Sequence, residues 1–79
     1  MNKVYHDVMS GKSDSNIRFA DLRNLQEEYG FTCRIRGDHF IYKRTDIPDR
    51  INIQPVGNKA KAYQVKQIRQ IFIKYGIKE

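Results

Sequence analysis

The chain has 79 residues, 39% of them apolar, with five Tyr, four Phe and no Trp. That is one domain with a small core, near the lower size limit for folding without a staple. The 15 Lys and Arg against 9 Asp and Glu give a net charge of +6. The single cysteine, Cys33, excludes an internal disulfide framework and fits a reducing cytoplasm. Two His and one Cys are too few for a structural zinc site. No apolar run approaches the roughly 18 residues of a membrane span, and Met1 to Ser10 lacks the continuous apolar stretch of a secretory signal. No metal, cofactor or membrane is therefore expected.

The charge is uneven along the chain. Residues 1–33 are net −1, residues 34–44 net +3, residues 45–56 net −1 and residues 57–79 net +5. Positive charge confined to one mid-chain segment and the C-terminal third points to a polyanion, of which nucleic acid is the commonest. The plain alternative is a surface charged for solubility.

The first 14 residues read as an extension, with the domain proper at 15–79. Val4, Tyr5, Val8 and Met9 have the spacing of a short helical stripe, which Ser10-Gly11-Lys12-Ser13 ends. Gly11-Lys12-Ser13 is not a P-loop tail, because that motif needs glycine where His6 stands and a strand before it. A first helix is expected to start between Asn16 and Phe19, capped by Ser15 or Asn16. Phe19, Leu22, Leu25 and Tyr29 form its apolar stripe, and Gly30 followed by Phe31 ends it.

Three strands are expected next: Phe31 to Arg36, Phe40 to Lys43, and Ile51 to Gln54, the last stopped by Pro55. Thr45 to Arg50 and Val56 to Lys61 read as loops. A second helix carries Val65, Ile68, Phe72 and Tyr75 on one face, with Ile71 beside them, and a basic strip of Lys66, Gln70 and Lys74 on another. Gly76-Ile77 repeats the ending of the first helix. The order is α-β-β-β-α, an α+β fold in which both helices cover one face of a three-stranded antiparallel sheet.

Gly37-Asp38 suits a two-residue hairpin turn. That loop length sets Arg36 opposite His39, Ile35 opposite Phe40, Arg34 opposite Ile41 and Cys33 opposite Tyr42. Directly paired residues share a face. Phe31, Cys33, Ile35, Phe40 and Tyr42 are then expected under the helices. Arg34, Arg36, His39, Ile41 and Lys43 are expected on the uncovered face. A one-residue slip would reverse the two sets.

His39 is the sharpest candidate for chemistry. An imidazole titrates near neutrality, and neighbouring cations favour the neutral ring that a base requires. The same cations hold a phosphodiester and stabilise charge that builds on it. RNA brings its own nucleophile, the 2′-hydroxyl, so one base within about 2.6–3.2 Å suffices to start in-line attack. The alternative is a turn histidine with no chemistry. Cys33 and His39 fall on opposite faces, against a Cys-His nucleophile pair, and no serine lies in a nucleophile-elbow pattern. Asp46 and Asp49 flank Pro48 and read as solvated turn residues. Cys33 reads as a small buried hydrophobe. Tyr63, at a basic helix entrance, is a candidate for base stacking and Tyr75 a core residue. Lys59, Lys61 and Lys66 join Arg34, Arg36 and Lys43 as candidate RNA-binding cations.

Arg36-Gly37-Asp38-His39 followed by Phe40-Ile41-Tyr42 resembles the histidine motif of the HicA (YcfA-like) toxins, bacterial mRNA interferases. The likeness extends to Asn16-Ile17, Phe19, Asp21-Leu22, Gly30-Phe31, Asn52-Ile53-Gln54-Pro55, Ala60-Lys61, Tyr63-Gln64-Val65-Lys66-Gln67 and Arg69. It runs from about Ser10 to Ile77. The glycine-x-histidine piece is weak alone, whereas the ordered set is specific. The resemblance implies an α-β-β-β-α fold similar to a double-stranded RNA-binding domain, and ribosome-independent cleavage of mRNA by a cytoplasmic toxin. It also implies neutralisation by a HicB-like antitoxin, with any DNA contact made through that partner. The family histidine maps to His39 alone; His6 lies in the extension. Many members have serine where this chain has Asp38, a carboxylate placed either to orient the imidazole or to repel phosphate. The competing hypothesis is a non-catalytic module that binds RNA or a partner protein. His39 separates the two, since binding does not require it.

Overall fold

The computed structural model describes residues 2–79. Helix α1 (Lys3–Ser10) is followed by a single 3-10 turn (Asp14–Asn16) and helix α2 (Phe19–Glu28). Strands β1 (Thr32–Arg36), β2 (His39–Arg44) and β3 (Ile47–Ile53) come next, then the two-residue strands β4 (Pro55–Val56) and β5 (Lys59–Ala60), and helix α3 (Ala62–Lys74). From α2 onward the main elements run α-β-β-β-α, with β1, β2 and β3 antiparallel in that spatial order.

Sequence dictates most of the boundaries directly. Both long helices end in the same glycine device. Gly30 and Gly76 have φ of 88° and 64°. Phe31 N–H bonds back to Gln26 O at 3.0 Å, and Ile77 N–H to Phe72 O at 2.9 Å. These are Schellman closures, in which the residue after the glycine folds onto the helix it ends. Phe31 and Ile77 are buried accordingly.

The hairpin register is the expected one, with Arg36 opposite His39, Ile35 opposite Phe40, Arg34 opposite Ile41 and Cys33 opposite Tyr42. Gly37 has φ of 61° and Asp38 a negative φ, the II′ turn whose twist matches the strands. The inner face carries Tyr42, Ile51 and Ile53, all buried, with Cys33 and Phe40 half-buried. Ile35 departs from expectation, being 53% exposed. The cover on this end of the sheet stops at Phe40, where Phe19 packs edge-on at 4.9 Å and the Arg23 guanidinium lies 4.6 Å from the ring centre. Ile35 lies one strand further out, on the sheet edge.

Three local expectations are corrected. Strand β3 begins at Ile47, not Ile51, so Arg50 and Asp49 belong to a strand and only Thr45-Asp46 turn. The register shifts between Tyr42, opposite Ile51, and Arg44, opposite Ile47. Asp49, in phase with buried Ile47, Ile51 and Ile53, interrupts the apolar period-2 pattern in the sequence, and Pro48 is tolerated because β3 is an edge strand. The segment from Val56 to Lys61 is not a plain loop, since β4 and β5 pair within it. Ser15 and Asn16 do not cap α2. Phe19 N–H bonds to Asn58 O at 2.9 Å instead, and the Asn16 carboxamide accepts from Lys59 Nζ.

Residues 3–10 are part of the packed domain. Asn2 Oδ1 accepts from Tyr5 N–H at 3.1 Å and starts α1. Val8 is fully buried, and Tyr5 stacks on Tyr29 with ring centres 5.5 Å apart. The Tyr5 hydroxyl donates to Ile77 O at 2.9 Å. Arg69 on α3 donates to Val8 O at 2.9 Å and pairs with both carboxylate oxygens of Asp14 at 2.8 and 2.9 Å. The helical stripe of Val4, Tyr5, Val8 and Met9 thus closes the far end of the core against α2 and α3.

Candidate functional site

Helices α2 and α3 cover the inner face, with α1 packed against them, and the outer face of the sheet is left to solvent. The β-alternation sends Arg34 and Arg36 from β1, His39, Ile41 and Lys43 from β2, and Arg50 and Asn52 from β3 to that face. His39 is about half exposed, at 48%. Its Nδ1 lies 3.3 Å from Asn52 Oδ1, and its Nε2 lies 3.3 Å from Gln54 Nε2. An amide oxygen only accepts, so Nδ1 carries the proton and Nε2 of the neutral ring is left with a lone pair. Gln54 then donates to Nε2, and this assigns both amide orientations consistently.

Gln54 ties the histidine to two charges. Its Nε2 also lies 3.3 Å from Asp38 Oδ2, and its Oε1 accepts from Lys61 Nζ at 3.2 Å. Asp38 Oδ1 is 3.8 Å from His39 Nε2. The carboxylate therefore sits on the basic side of the ring and does not orient it through Nδ1. Asn52 does that. Gln54 is itself held by its neighbour on α3, the buried Gln64, whose Oε1 accepts from Gln54 N–H at 2.9 Å.

Beside this cluster lies a cavity of about 280 Å³, lined by Thr32, Cys33, Arg34, Arg36, Ile41, Lys43 and Arg50. His39 is not in its lining, but Arg36 pairs with His39 and Ile41 pairs with Asn52 in the sheet, so the two regions adjoin. Of the six cations proposed from sequence, the structure brings Arg34, Arg36 and Lys43 to this face and links Lys61 to His39 through Gln54. Lys59 is not part of the group. It donates to Asn16 at 2.6 Å and lines a separate hollow with Lys3, Arg18 and Asp21. Lys66 projects from α3 into solvent.

Three site residues escaped sequence reasoning. Arg50 was hidden by the late start assigned to β3. Asn52 and Gln54 act through amides, which carry no charge signal, although both lie in a segment that contributes to the family resemblance. The other titratable groups are engaged elsewhere. Cys33 is half-buried beneath the sheet, opposite Tyr42, on the face away from His39. Burial pushes the Tyr42 hydroxyl well above the usual phenol range, and the Arg23 guanidinium donates to it at 2.9 Å. Arg44 holds the Asp46 carboxyl below its ordinary value, and Lys74 with Tyr75 does the same for Asp49. His6 pairs with Glu79 at 2.9 Å near the termini. Tyr63 is 64% exposed, and Tyr75 is half-buried with its hydroxyl on Asp49 at 3.0 Å. No group of three or more His, Cys, Asp or Glu among the described residues is arranged to hold a metal ion, and no described helix is long and apolar enough to cross a membrane.

Comparison with protein-family models, with curated proteins and with solved structures returned no match.

Proposed function

We propose that the protein is an endoribonuclease toxin of the HicA type, cleaving mRNA in the cytoplasm with His39 as general base. The observation that carries this reading is the Asn52–His39 contact. It fixes the tautomer with an unprotonated, acceptor Nε2 on a sheet face that also presents Arg34, Arg36 and Lys43. The RNA 2′-hydroxyl displaces the Gln54 amide from Nε2 and gives up its proton there. The new bond runs from O2′ to phosphorus, the bond to O5′ breaks, and the departing O5′ takes a proton from water. The products are a 2′,3′-cyclic phosphate and a 5′-hydroxyl. Arg36, the cross-strand partner of His39, and Lys61, linked to it through Gln54, offset charge on the phosphoryl oxygens. Asp38, on the Nε2 side, pairs with the imidazolium formed during the step, at the cost of some repulsion of the incoming phosphate.

Positioned base catalysis is worth about 10²- to 10⁴-fold, which suits a slow nuclease. The test is incubation of the purified protein with a long transcript in EDTA, beside a His39→Ala control. Cleavage by the parent, ending in 2′,3′-cyclic phosphate, with none by the variant is expected. Full cutting by His39→Ala, or loss of cutting in EDTA, contradicts the mechanism. RNA that is bound but left intact by both proteins reduces the function to a binding module.

A further inference from the structure

The cavity on the outer sheet face differs from the rest of the charged surface in one respect. Elsewhere five cations pair with carboxylates, Lys3 with Asp7, Arg23 with Glu27, Arg44 with Asp46, Arg69 with Asp14 and Lys74 with Asp49, and Lys59 and Lys61 donate to side-chain amides. Four cations converge on the cavity from three strands: Arg34 and Arg36 from β1, Lys43 from β2 and Arg50 from β3. No Asp or Glu lines it. None of the four side chains donates a hydrogen bond to any acceptor among the described residues. Like charges gathered this way repel, and an anion placed among them removes the repulsion. Ile41 is the aliphatic residue of the lining, a half-buried side chain at mid-sheet with Arg34 on one side of it and Asn52 on the other.

We propose that this cavity is the subsite for the nucleotide next to the cleaved phosphodiester, with Ile41 under the base and Arg50 on the flanking phosphate. This rests on the ribonuclease reading and gives it a substrate class, single-stranded RNA. A concavity of this size takes one base turned out of its stack, whereas an A-form duplex presents a wide, shallow groove recognised by shape across many base pairs. An apolar contact with a base face and cations on the backbone is the usual combination for a single strand. The position follows from the sheet: Asn52, which orients His39, is the cross-strand neighbour of Ile41, so a strand crossing Ile41 reaches the histidine at the next position of the same face, two residues along β2.

The test uses the His39→Ala protein, so that RNA survives, and fluorescence anisotropy with a short unstructured oligoribonucleotide over a salt series. Arg50→Gln is expected to reduce the log–log salt slope by about 0.7, the share of one phosphate on a single strand. Arg50→Lys is expected to keep the slope. Lys78→Gln, an equal charge change at the exposed C-terminus, is expected to leave it unchanged. Equal effects of Arg50→Gln and Lys78→Gln overturn the subsite while the RNA reading stands. A hairpin duplex of the same composition bound as tightly as the single strand, with the same sensitivity to Arg50→Gln, overturns the single-strand assignment. Absence of RNA binding at low salt by the His39→Ala protein itself defeats the ribonuclease reading and the subsite with it.

Discussion

Val8→Ala tests whether α1 belongs to the domain or hangs from it. Val8 has no exposed surface, and its carbonyl accepts from the Arg69 guanidinium at 2.9 Å. Removing two methyl groups forfeits about 1.6 kcal/mol, at about 0.8 kcal/mol per buried methylene-sized group. The part of the cavity that fails to collapse adds up to about 1 kcal/mol. Alanine favours helix slightly over valine and offsets a few tenths of this. A loss of about 2 kcal/mol is expected. For 79 residues, an unfolding entropy of about 2.1 cal/mol/K per residue converts each kcal/mol to about 6 °C. The melting temperature should therefore fall by about 10–15 °C, read by circular dichroism or calorimetry. Tyr5→Phe is the companion, since it strips the donor from the Ile77 carbonyl and should cost about 1–3 kcal/mol. Lys3→Ala, on the exposed face of the same helix, should shift the melting temperature little. If Val8→Ala and Lys3→Ala behaved alike, with shifts of a few degrees at most, α1 would not be packed on α2 and α3.

Three other outcomes follow from the geometry. Asn52→Leu removes the acceptor that holds His39 Nδ1–H, so the cleavage rate should fall by about 10-fold or more with RNA affinity in the His39→Ala background unchanged, and Asn52→Asp, which keeps an acceptor, should recover much of it; an equal loss of affinity would make Asn52 a binding residue. Asp46 and Asp49 have folded-state pKa values below their unfolded ones, so their contribution is present above about pH 4, where the unfolded carboxylates ionise, and is lost as pH falls through the lower folded values; melting temperature should drop through that window, and less so in Asp49→Asn. An acidic HicB-like antitoxin is expected to dock on the cationic face for charge complementarity, so hydrogen exchange of the complex should show protection across Arg34 to Arg44 and the outer edge of β3; protection confined to Phe19–Glu28, with His39 still open to RNA, would contradict masking.

Much of this arrangement was legible in the chain because it rests on local rules. Gly37-Asp38 suits a two-residue hairpin turn, and that loop length fixes every pair from Cys33–Tyr42 to Arg36–His39. The face of His39 followed from that register alone. The stripes of Phe19, Leu22 and Leu25 and of Val65, Ile68 and Phe72 named the helices, and Gly30 and Gly76 named their ends. These depend on spacing and on backbone freedom, both of which are written in the sequence.

What lay beyond it was decided at long range. The stripe in α1 is visible, but whether a short amphipathic helix packs or frays depends on partners more than 60 residues away, Arg69 and Ile77. The irregular pairing between Tyr42 and Arg44 let β3 start early and brought Arg50 to the cationic cavity. Ile35 is exposed because the cover stops at Phe40 and Ile35 lies one strand further out on the sheet edge, a placement that no local pattern encodes. The sequence determined that one histidine stands on a positively charged sheet face. Only the tertiary structure placed Asn52 on its Nδ1, Gln54 on its Nε2 and Lys59 away from it, because those contacts join side chains from different elements, β2 with β3 and its following residue, and β5 with the 3-10 turn before α2, whose relative placement no local spacing sets.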